Sequence, residues 1–217
     1  MKQNNSMTRI AIATAVALVS TPRFAAATEA RPWSAGYRFE LLTADGRPAN
    51  DMMGSGAFLR YPISADWLVE GAVSYYEYDF EDPQRILGFA GTLVEDADSR
   101  TRSTVVSMRM ERSWKCRFGL LRPLAFAGLG MGYAVVDDRS GAADGRRFDI
   151  DSEGGIETIP ACGVGVRYVR NGWSADAGVK MERHFADWNL KDRLSGAEGE
   201  VGSYTSWGCW AGLSVVL

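Results

Sequence analysis

A run of glycines at alternate positions constrains this fold more than any other feature of the sequence. The stretch RPLAFAGLGMGYAVVDD, residues 122–138, places Gly128, Gly130 and Gly132 between large apolar residues. Three glycines in five residues disfavour a helix, and glycine weakens a strand that must pack on both faces. The pattern therefore predicts a strand with bulk on one face and open space on the other, as in the wall of a narrow barrel.

Apolar residues recur at every second position in eight segments, which is the period of a strand with two different faces. Long connections, the first of them over 44–53, alternate with short ones such as 64–66 and 170–172. Transmembrane barrels show this asymmetry together with an even number of strands. We therefore predict an all-β chain, folded as an eight-stranded antiparallel transmembrane β-barrel. The predicted strands span 33–43, 54–63, 67–80, 101–113, 122–136, 158–170, 173–185 and 204–217.

One face of every segment is apolar, and the other carries five basic and five acidic side chains. An Arg or Lys that faces lipid at mid-depth costs about 2–4 kcal/mol, whereas an ion pair in the lumen avoids that cost. We also predict that Gly128, Gly130, Gly132, Gly163 and Gly165 line the lumen and leave room for long charged side chains. The predicted interior charge cluster consists of Arg38, Glu40, Arg60, Glu70, Arg109, Glu111, Arg167, Asp176, Lys180 and Glu182.

Four tryptophans near strand ends help to separate this prediction from a soluble alternative. A soluble sandwich or lipocalin would turn the charges outward and bury all four rings in one small core. A membrane interface instead favours aromatic girdles at the two ends of the strands. The predicted interface aromatics are Trp33, Trp67, Trp173 and Trp207.

The first 27 residues have the features of a secretory signal peptide. Lys2 and Arg9 flank the start, residues 10–20 are an apolar run, and Ala25–Ala27 supply small residues for cleavage. The alternative is an N-terminal anchor, but the run is shorter than the roughly 20 residues of a membrane-spanning helix. We therefore predict a signal peptide at 1–27 and a barrel domain at 28–217, exported to the outer membrane of a Gram-negative-type bacterium.

Three stretches resemble strands and hairpins of the small outer-membrane β-barrel proteins of the OmpA/OmpX/OmpW-like group. They are RPLAFAGLGMGYAVVD, GVGVRYVRNGWSADAGVKM and SADWLVEGAVSYYEYDF, and the resemblance covers most of residues 31–217. It implies that outer-membrane lipid and the barrel-assembly machinery are partners. Chains of this group usually end in Phe or Trp, whereas this one ends in Leu217, which implies slightly less efficient assembly.

Motifs for catalysis or metal binding are incomplete. Outer-membrane lipid A deacylases, which this architecture resembles, use a His-x-Ser pair, but Phe185 and Ala186 follow His184. A palmitoyltransferase-type site is suggested only by His184 near Asp187. We therefore predict no enzymatic activity and a solvated His184 at the end of its strand.

Neither a metal, a cofactor nor nucleic acid is predicted as a ligand. The stretch DIDSEGGI, residues 149–156, begins like a calcium loop, but Pro160 stands where a bidentate Glu belongs. The spacing of Cys116, Cys162 and Cys209 fits no zinc pattern, and we interpret them as free. With a net charge of −3, the chain has no basic patch of the kind that nucleic acid requires.

The function predicted from these observations is a structural or surface-interaction role, with a lumen plugged by ion pairs and a possible partner at the surface loops. The first alternative is a narrow channel for ions or small hydrophobic solutes, which follows from the OmpW-like resemblance. The second alternative is an outer-membrane lipid-modifying enzyme.

Overall fold

The computed structural model describes residues 32–45, 49–80, 86–88, 93–96, 100–116, 120–143, 145–150 and 153–217. The predicted signal peptide at 1–27 lies outside these residues. Within them, no helix is long and apolar enough to cross a membrane. In chain order the strands are β1 (Ser34–Asp45), β2 (Ala49–Pro62), β3 (Trp67–Phe80), β4 (Leu93–Asp96), β5 (Arg100–Ser113), β6 (Leu121–Val136), β7 (Arg139–Ala143), β8 (Arg146–Ile150), β9 (Glu153–Arg170), β10 (Trp173–Ala186), β11 (Asn189–Lys191), β12 (Glu198–Glu200) and β13 (Tyr204–Val216).

Eight of these strands close into an antiparallel barrel in the order β1-β13-β10-β9-β6-β5-β3-β2. The first and last strands pair along their length, from Ser34 opposite Val216 to Asp45 opposite Thr205. Closure leaves no strand edge exposed. The predicted eight-stranded antiparallel barrel is confirmed, and each predicted segment corresponds to one barrel strand.

The connections lie at two distinct ends of the barrel. The turn end holds residues 63–66, 114–116 and 171–172, and the loop end holds the described parts of the longer connections, at 86–88, 93–96, 137–143, 145–150 and 187–203. Asn171 and Gly172 both have positive φ, 46° and 80°, which a two-residue type I′ hairpin turn requires.

The first connection is shorter than predicted, because β2 begins at Ala49. The sequence hides this start, since Met52 is 2% exposed in the lumen while its neighbour Met53 is 66% exposed on the outer face. Two adjacent apolar residues on opposite faces remove the alternation on which the prediction relied.

The outer face is apolar over a band between the two ends. On β5, Arg102 and Arg112 point outward ten residues apart, and the outward residues between them are uncharged. At about 3.3 Å per residue and a tilt of about 40°, this spacing spans about 25 Å, the height of the apolar band of outer-membrane barrels. Trp33, Trp67 and Trp173 lie near the turn end and Trp207 near the loop end.

Beyond the loop end, the connections fold on one another. Strands β4, β7 and β8 form a three-stranded sheet, and β11 pairs with β12. An isolated bridge between Ile150 and Asp192 joins the two. We call their shared apolar centre the loop core; it consists of Leu87, Ala134, Val136, Phe148, Ile150, Ala186, Trp188, Leu190 and Val201.

Candidate functional site

The ten charged residues predicted to face the lumen all lie buried inside the barrel, and none is more than 7% exposed. They come from β1, β2, β3, β5, β9 and β10 and are concentrated between the turn end and the middle of the barrel. Each sits at the inward parity of its strand, so that the strands alone bring the ten together. We call this group the lumen network.

Glu70 is the centre of the lumen network. Its carboxylate accepts hydrogen bonds from three arginines on three other strands: Arg38, Arg60 through Nε at 2.7 Å, and Arg109 through Nη2 at 2.9 Å. One carboxylate therefore links four neighbouring strands of the wall, β1, β2, β3 and β5. Charge-assisted bonds of this kind are roughly twice as strong as neutral ones.

A second set of contacts extends the network to the opposite wall. Arg60 also binds both carboxylate oxygens of Asp176 on β10. Arg167 Nη2 donates a hydrogen bond to Glu111 Oε2 at 2.9 Å, and its Nη1 lies 2.6 Å from Glu111 Oε1. Arg167 Nη2 reaches Asp176 Oδ2 at 3.4 Å, which connects the two pairs.

A third set lies nearer the middle of the barrel. Lys180 Nζ is 2.6 Å from Glu40 Oε2 and 2.6 Å from Glu182 Oε1. The hydroxyl of Tyr76 donates a hydrogen bond to Glu40, and Lys180 donates to Tyr76 at 3.2 Å. Arg38 Nη1 lies 3.5 Å from Glu40 Oε1, so this set is continuous with the Glu70 centre.

Aromatic rings fill the space that the glycines leave, in addition to charged side chains. A Cβ at Gly163 would lie 2.6 Å from the Phe126 ring, and one at Gly165 would lie 3.0 Å from Trp210. Of the five predicted lumen glycines, Gly128 is the one next to a charged residue, since its Cβ would lie 2.6 Å from Arg109 Cβ. We expected from the sequence that the lumen glycines make room for long charged side chains. They also make room for aromatic rings, which that expectation did not include.

Gly130 and Gly132 face smaller neighbours. Their nearest atoms belong to Val105, at 3.1 Å from a Cβ at either position.

The arginines of the network stack on the aromatic rings in the lumen, with Arg109 Cζ 4.2 Å from the centre of Phe126 and 5.2 Å from that of Trp210. Cation–π contacts thus supplement the ion pairs.

His184 is buried, not solvated, and the prediction for it is wrong. It is 2% exposed; its Nδ1 is 3.0 Å from Glu157 Oε2 and its Nε2 is 3.2 Å from Ser206 Oγ. The ring stacks on Tyr204 at 4.3 Å between centroids. The position is the next inward one after Lys180 and Glu182 on β10, so strand parity could have found it. Glu157 escaped prediction because the sequence segment began at 158.

The order Glu157, His184, Ser206 resembles the acid–His–Ser arrangement of nucleophilic enzymes. Ser206 is 0% exposed, however, and the ring and carboxylate beside it are also enclosed. A substrate cannot reach the serine hydroxyl in this conformation. The geometry instead satisfies buried polar groups, as interior hydrogen bonds generally do.

A small cavity lies beside the lumen network. A cavity of about 30 Å³ is lined by Glu40, Tyr76, Lys180 and Glu182, among others. A buried water needs about 10–15 Å³ measured in this way, so the cavity accommodates about two or three waters. It is far smaller than the 300–1,000 Å³ of typical ligand sites.

A second polar site holds the loops together. Asp192 accepts hydrogen bonds from the backbone N–H groups of Asp149 at 2.7 Å and Ser195 at 3.0 Å, and from the Ser195 hydroxyl. Burial opposes the charged form, but these hydrogen bonds outweigh it and lower the pKa of Asp192. The turn that follows presents Leu194, which is 62% exposed.

The described residues contain no group of three or more potential metal ligands. The DIDSEGGI stretch is described only in part, because residues 151 and 152 lie outside the described residues. The three cysteines Cys116, Cys162 and Cys209 are free.

Solved structures similar to this chain are outer-membrane barrels. A major outer membrane protein from Thermus thermophilus is 11% identical, with a TM-score of 0.51, over 84% of this chain and 99% of that one. Neisserial surface protein A is 16% identical (TM-score 0.47; 85% and 96% covered). The attachment invasion locus protein Ail of Yersinia pestis is 17% identical (0.43; 85% and 95%). No protein-family model matches the chain, and no curated protein does.

These comparisons establish the fold and no more. The chain has the fold of the small eight-stranded outer-membrane β-barrels, which the resemblance to the OmpA/OmpX/OmpW-like group predicted.

Proposed function

We propose that this protein is an outer-membrane barrel whose lumen is plugged by ion pairs and whose loop end serves a structural or interaction role at the cell surface. The observation that carries the proposal is the continuous lumen network, which crosses the barrel from β2 to β10 through Arg60. Five buried cations and five buried anions, with aromatic rings stacked on the arginines, fill this part of the lumen.

Several features support the membrane placement. The uncharged outer band, about 25 Å high, and the tryptophans at both ends match what a bilayer selects. The first test of the membrane placement is gel migration of the outer-membrane fraction with and without boiling. A compact band that shifts on heating supports a folded barrel, and a soluble protein without a shift contradicts it.

The plug is tested by conductance in planar bilayers. We expect the wild-type chain to show no stepwise conductance, because ion pairs fill the narrow section. Arg109→Ala or Glu111→Ala opens space in the network and is expected to produce measurable steps. Arg102→Ala, on the outer face, is the matched control and should remain silent. Steps in the wild type would contradict the plug and favour the channel alternative, and silence in both lumen variants would mean that these two residues do not seal the lumen.

The surface role is supported by the loop core. Nine buried apolar residues give the loops a packed centre, so they can present a fixed surface to a partner. Deletion of residues 140–154 removes most of β7 and β8 and is expected to abolish partner binding while the heat-shifting barrel persists. Binding that survives the deletion would exclude this loop as the contact.

The enzyme alternative is tested by the mass of lipid A from expressing cells. We expect no change, because the Ser206 hydroxyl is inaccessible. A shifted mass would require a site outside the lumen.

A further inference from the structure

An apolar groove runs along the outer face of the barrel across β1, β2, β3, β5 and β6. Its volume is about 1180 Å³. Gly71 on β3 forms its floor, and the cross-strand neighbours of Gly71, Leu59 and Met108, form its two walls. Both walls are well exposed, at 49% and 64%.

Gly71 has no reason within the chain to be glycine. A Cβ built there meets nothing within 4 Å, whereas at every other described glycine of the barrel strands it would meet a neighbour. Its φ is not in the left-handed region either. Glycine weakens a strand, so a glycine that faces open space indicates that something outside the chain approaches closely.

The groove leads to a cation at the turn end. The register places Gly71 opposite Met108, Val69 opposite Met110 and, next in line, Trp67 opposite Arg112. The outward residues of these two strands therefore lead from the floor of the groove to Arg112 in two steps of the register.

Arg112 has no anionic partner among the described residues. Its guanidinium carbon lies 5.4 Å from the Trp67 ring and 5.4 Å from the Trp114 ring, and its Nε is enclosed with no hydrogen-bond partner. Two outward arginines of β5 at the loop end differ, because Arg100 pairs with Glu77 at 2.8 Å and Arg102 with Asp137 at 3.2 Å.

We propose that this groove binds one glycerophospholipid, with its phosphate on Arg112 between the two tryptophans and an acyl chain over Gly71. The charge of Arg112 complements a phosphate, the rings suit the interface, and the groove beyond is apolar. Met108 and Met110 supply flexible side chains that adapt to a mobile chain. The inference rests on the proposed membrane placement.

The test uses the full mature chain, refolded in detergent with either dioleoyl phosphatidylglycerol or dioleoyl glycerol, which lacks the phosphate. Native mass spectrometry then counts retained lipid. We expect the wild type to retain one phosphatidylglycerol and little of the phosphate-free lipid. Arg112→Gln and Gly71→Leu should each lower retention about tenfold, the loss expected for one charged contact or a filled groove.

Matched controls separate this site from general lipid contact. Val179→Leu adds bulk on β10 at the opposite wall, and Arg183→Gln removes an outward charge at the loop end. Both should retain lipid as the wild type does. Equal retention in all variants, or equal retention of the two lipids, would overturn the site.

Two further results would contradict the lipid site, and they are distinguishable from each other: a dimer that covers the groove, and a wild-type chain that does not form a membrane barrel. A lipid-free dimer that Gly71→Leu disrupts would mean that a second copy covers the groove. Should Gly71→Leu fail to fold, Arg112→Gln alone decides, since Arg112 is half-buried at the end of its strand and glutamine keeps its polar character. Failure of the wild type to show the heat shift would instead contradict the membrane barrel itself.

Discussion

The two halves of the lumen are filled by different chemistry. Toward the turn end, the lumen network joins opposite walls through carboxylates shared among arginines, with Glu70 at the centre. Toward the loop end, apolar and aromatic side chains such as Leu42, Met52 and Tyr204 fill the section, and the loop core lies beyond them.

The contrast shows two ways to exclude water from a narrow barrel. Long charged chains reach across the lumen from rigid strands, so the turn half needs no help from its short turns. Apolar side chains must be shielded from water, and at the open end only the loops can do that. The turn half therefore depends on individual ion pairs, while the loop half depends on the order of the loops.

The largest expected effect is from Glu70→Ala. It leaves Arg38, Arg60 and Arg109 without their common carboxylate, and breaking a buried pair in this way costs about 3–5 kcal/mol. We expect a correspondingly lower free energy of unfolding in urea titration of the refolded barrel.

The control for this variant is Glu77→Ala on the same strand. Glu77 pairs with Arg100 at the surface, and exposed pairs contribute about 0–1 kcal/mol. A Glu70→Ala barrel as stable as Glu77→Ala would mean that the network does not hold the turn half together.

Leu190→Ala is expected to affect the other half. Leu190 is 0% exposed in the loop core, and such truncations cost about 2–4 kcal/mol. The loss should appear as faster hydrogen exchange and protease cleavage in 187–203, with the heat shift of the barrel retained. Leu194→Ala, an exposed leucine in the same hairpin, should change neither; a barrel that unfolds together with the loops would show that the halves are not separable.

His184→Ala probes the boundary between the halves. It removes the ring that contacts Glu157 and Ser206, so Glu157 keeps only the bond from the Tyr204 hydroxyl at 3.5 Å. A buried polar group left unpaired costs about 1–3 kcal/mol. Urea titration should show a smaller loss than for Glu70→Ala. His184→Gln, which can still donate to Glu157, should recover part of it, and no difference between Ala and Gln would argue that packing on Tyr204 is what matters.

The smallest effect is expected at Asp192. Its pKa is lowered below the ordinary 3.8, so the charged form stabilises the loops above that pH, and the stabilisation is lost as the pH falls through the folded-state value. The hydrogen-exchange protection factors of the 192–196 turn, which are corrected for the intrinsic effect of pH on exchange, should therefore fall below about pH 4. Asp192→Asn should lower the free energy of opening of this turn by about 1 kcal/mol already at neutral pH. Asp187→Asn, which changes an exposed residue, is the control and should behave as the wild type.

Much of the barrel was predictable because strand parity is a local property. Each of the ten network residues faces inward for the same reason that its neighbours two positions away do. The partners were not predictable: that Arg60 meets Asp176 depends on the stagger of β2 against β10 around a closed sheet, and alternation along one strand carries no information on stagger.

The sequence was least informative where both faces are apolar or where contacts are distant. Three aromatic residues point into the lumen: Phe58, Phe126 and Trp210. Alternation along a strand does not predict their role, because an apolar residue at an otherwise polar position only weakens the pattern. The strands of the loop core escaped prediction for a related reason, since Phe148 and Trp188 find their partners only after the barrel has brought the connections together.

The ten-residue interval between Arg102 and Arg112 has a consequence for where this protein can reside. It fixes the hydrophobic length of the barrel wall, which a rigid closed sheet cannot shorten by bending as a helix does. In a thicker bilayer the two arginines would be drawn toward hydrocarbon, at a cost that rises steeply with depth. Because the bacterial outer membrane is thinner than average, hydrophobic mismatch alone would favour that membrane over others and hold the barrel at one level within it.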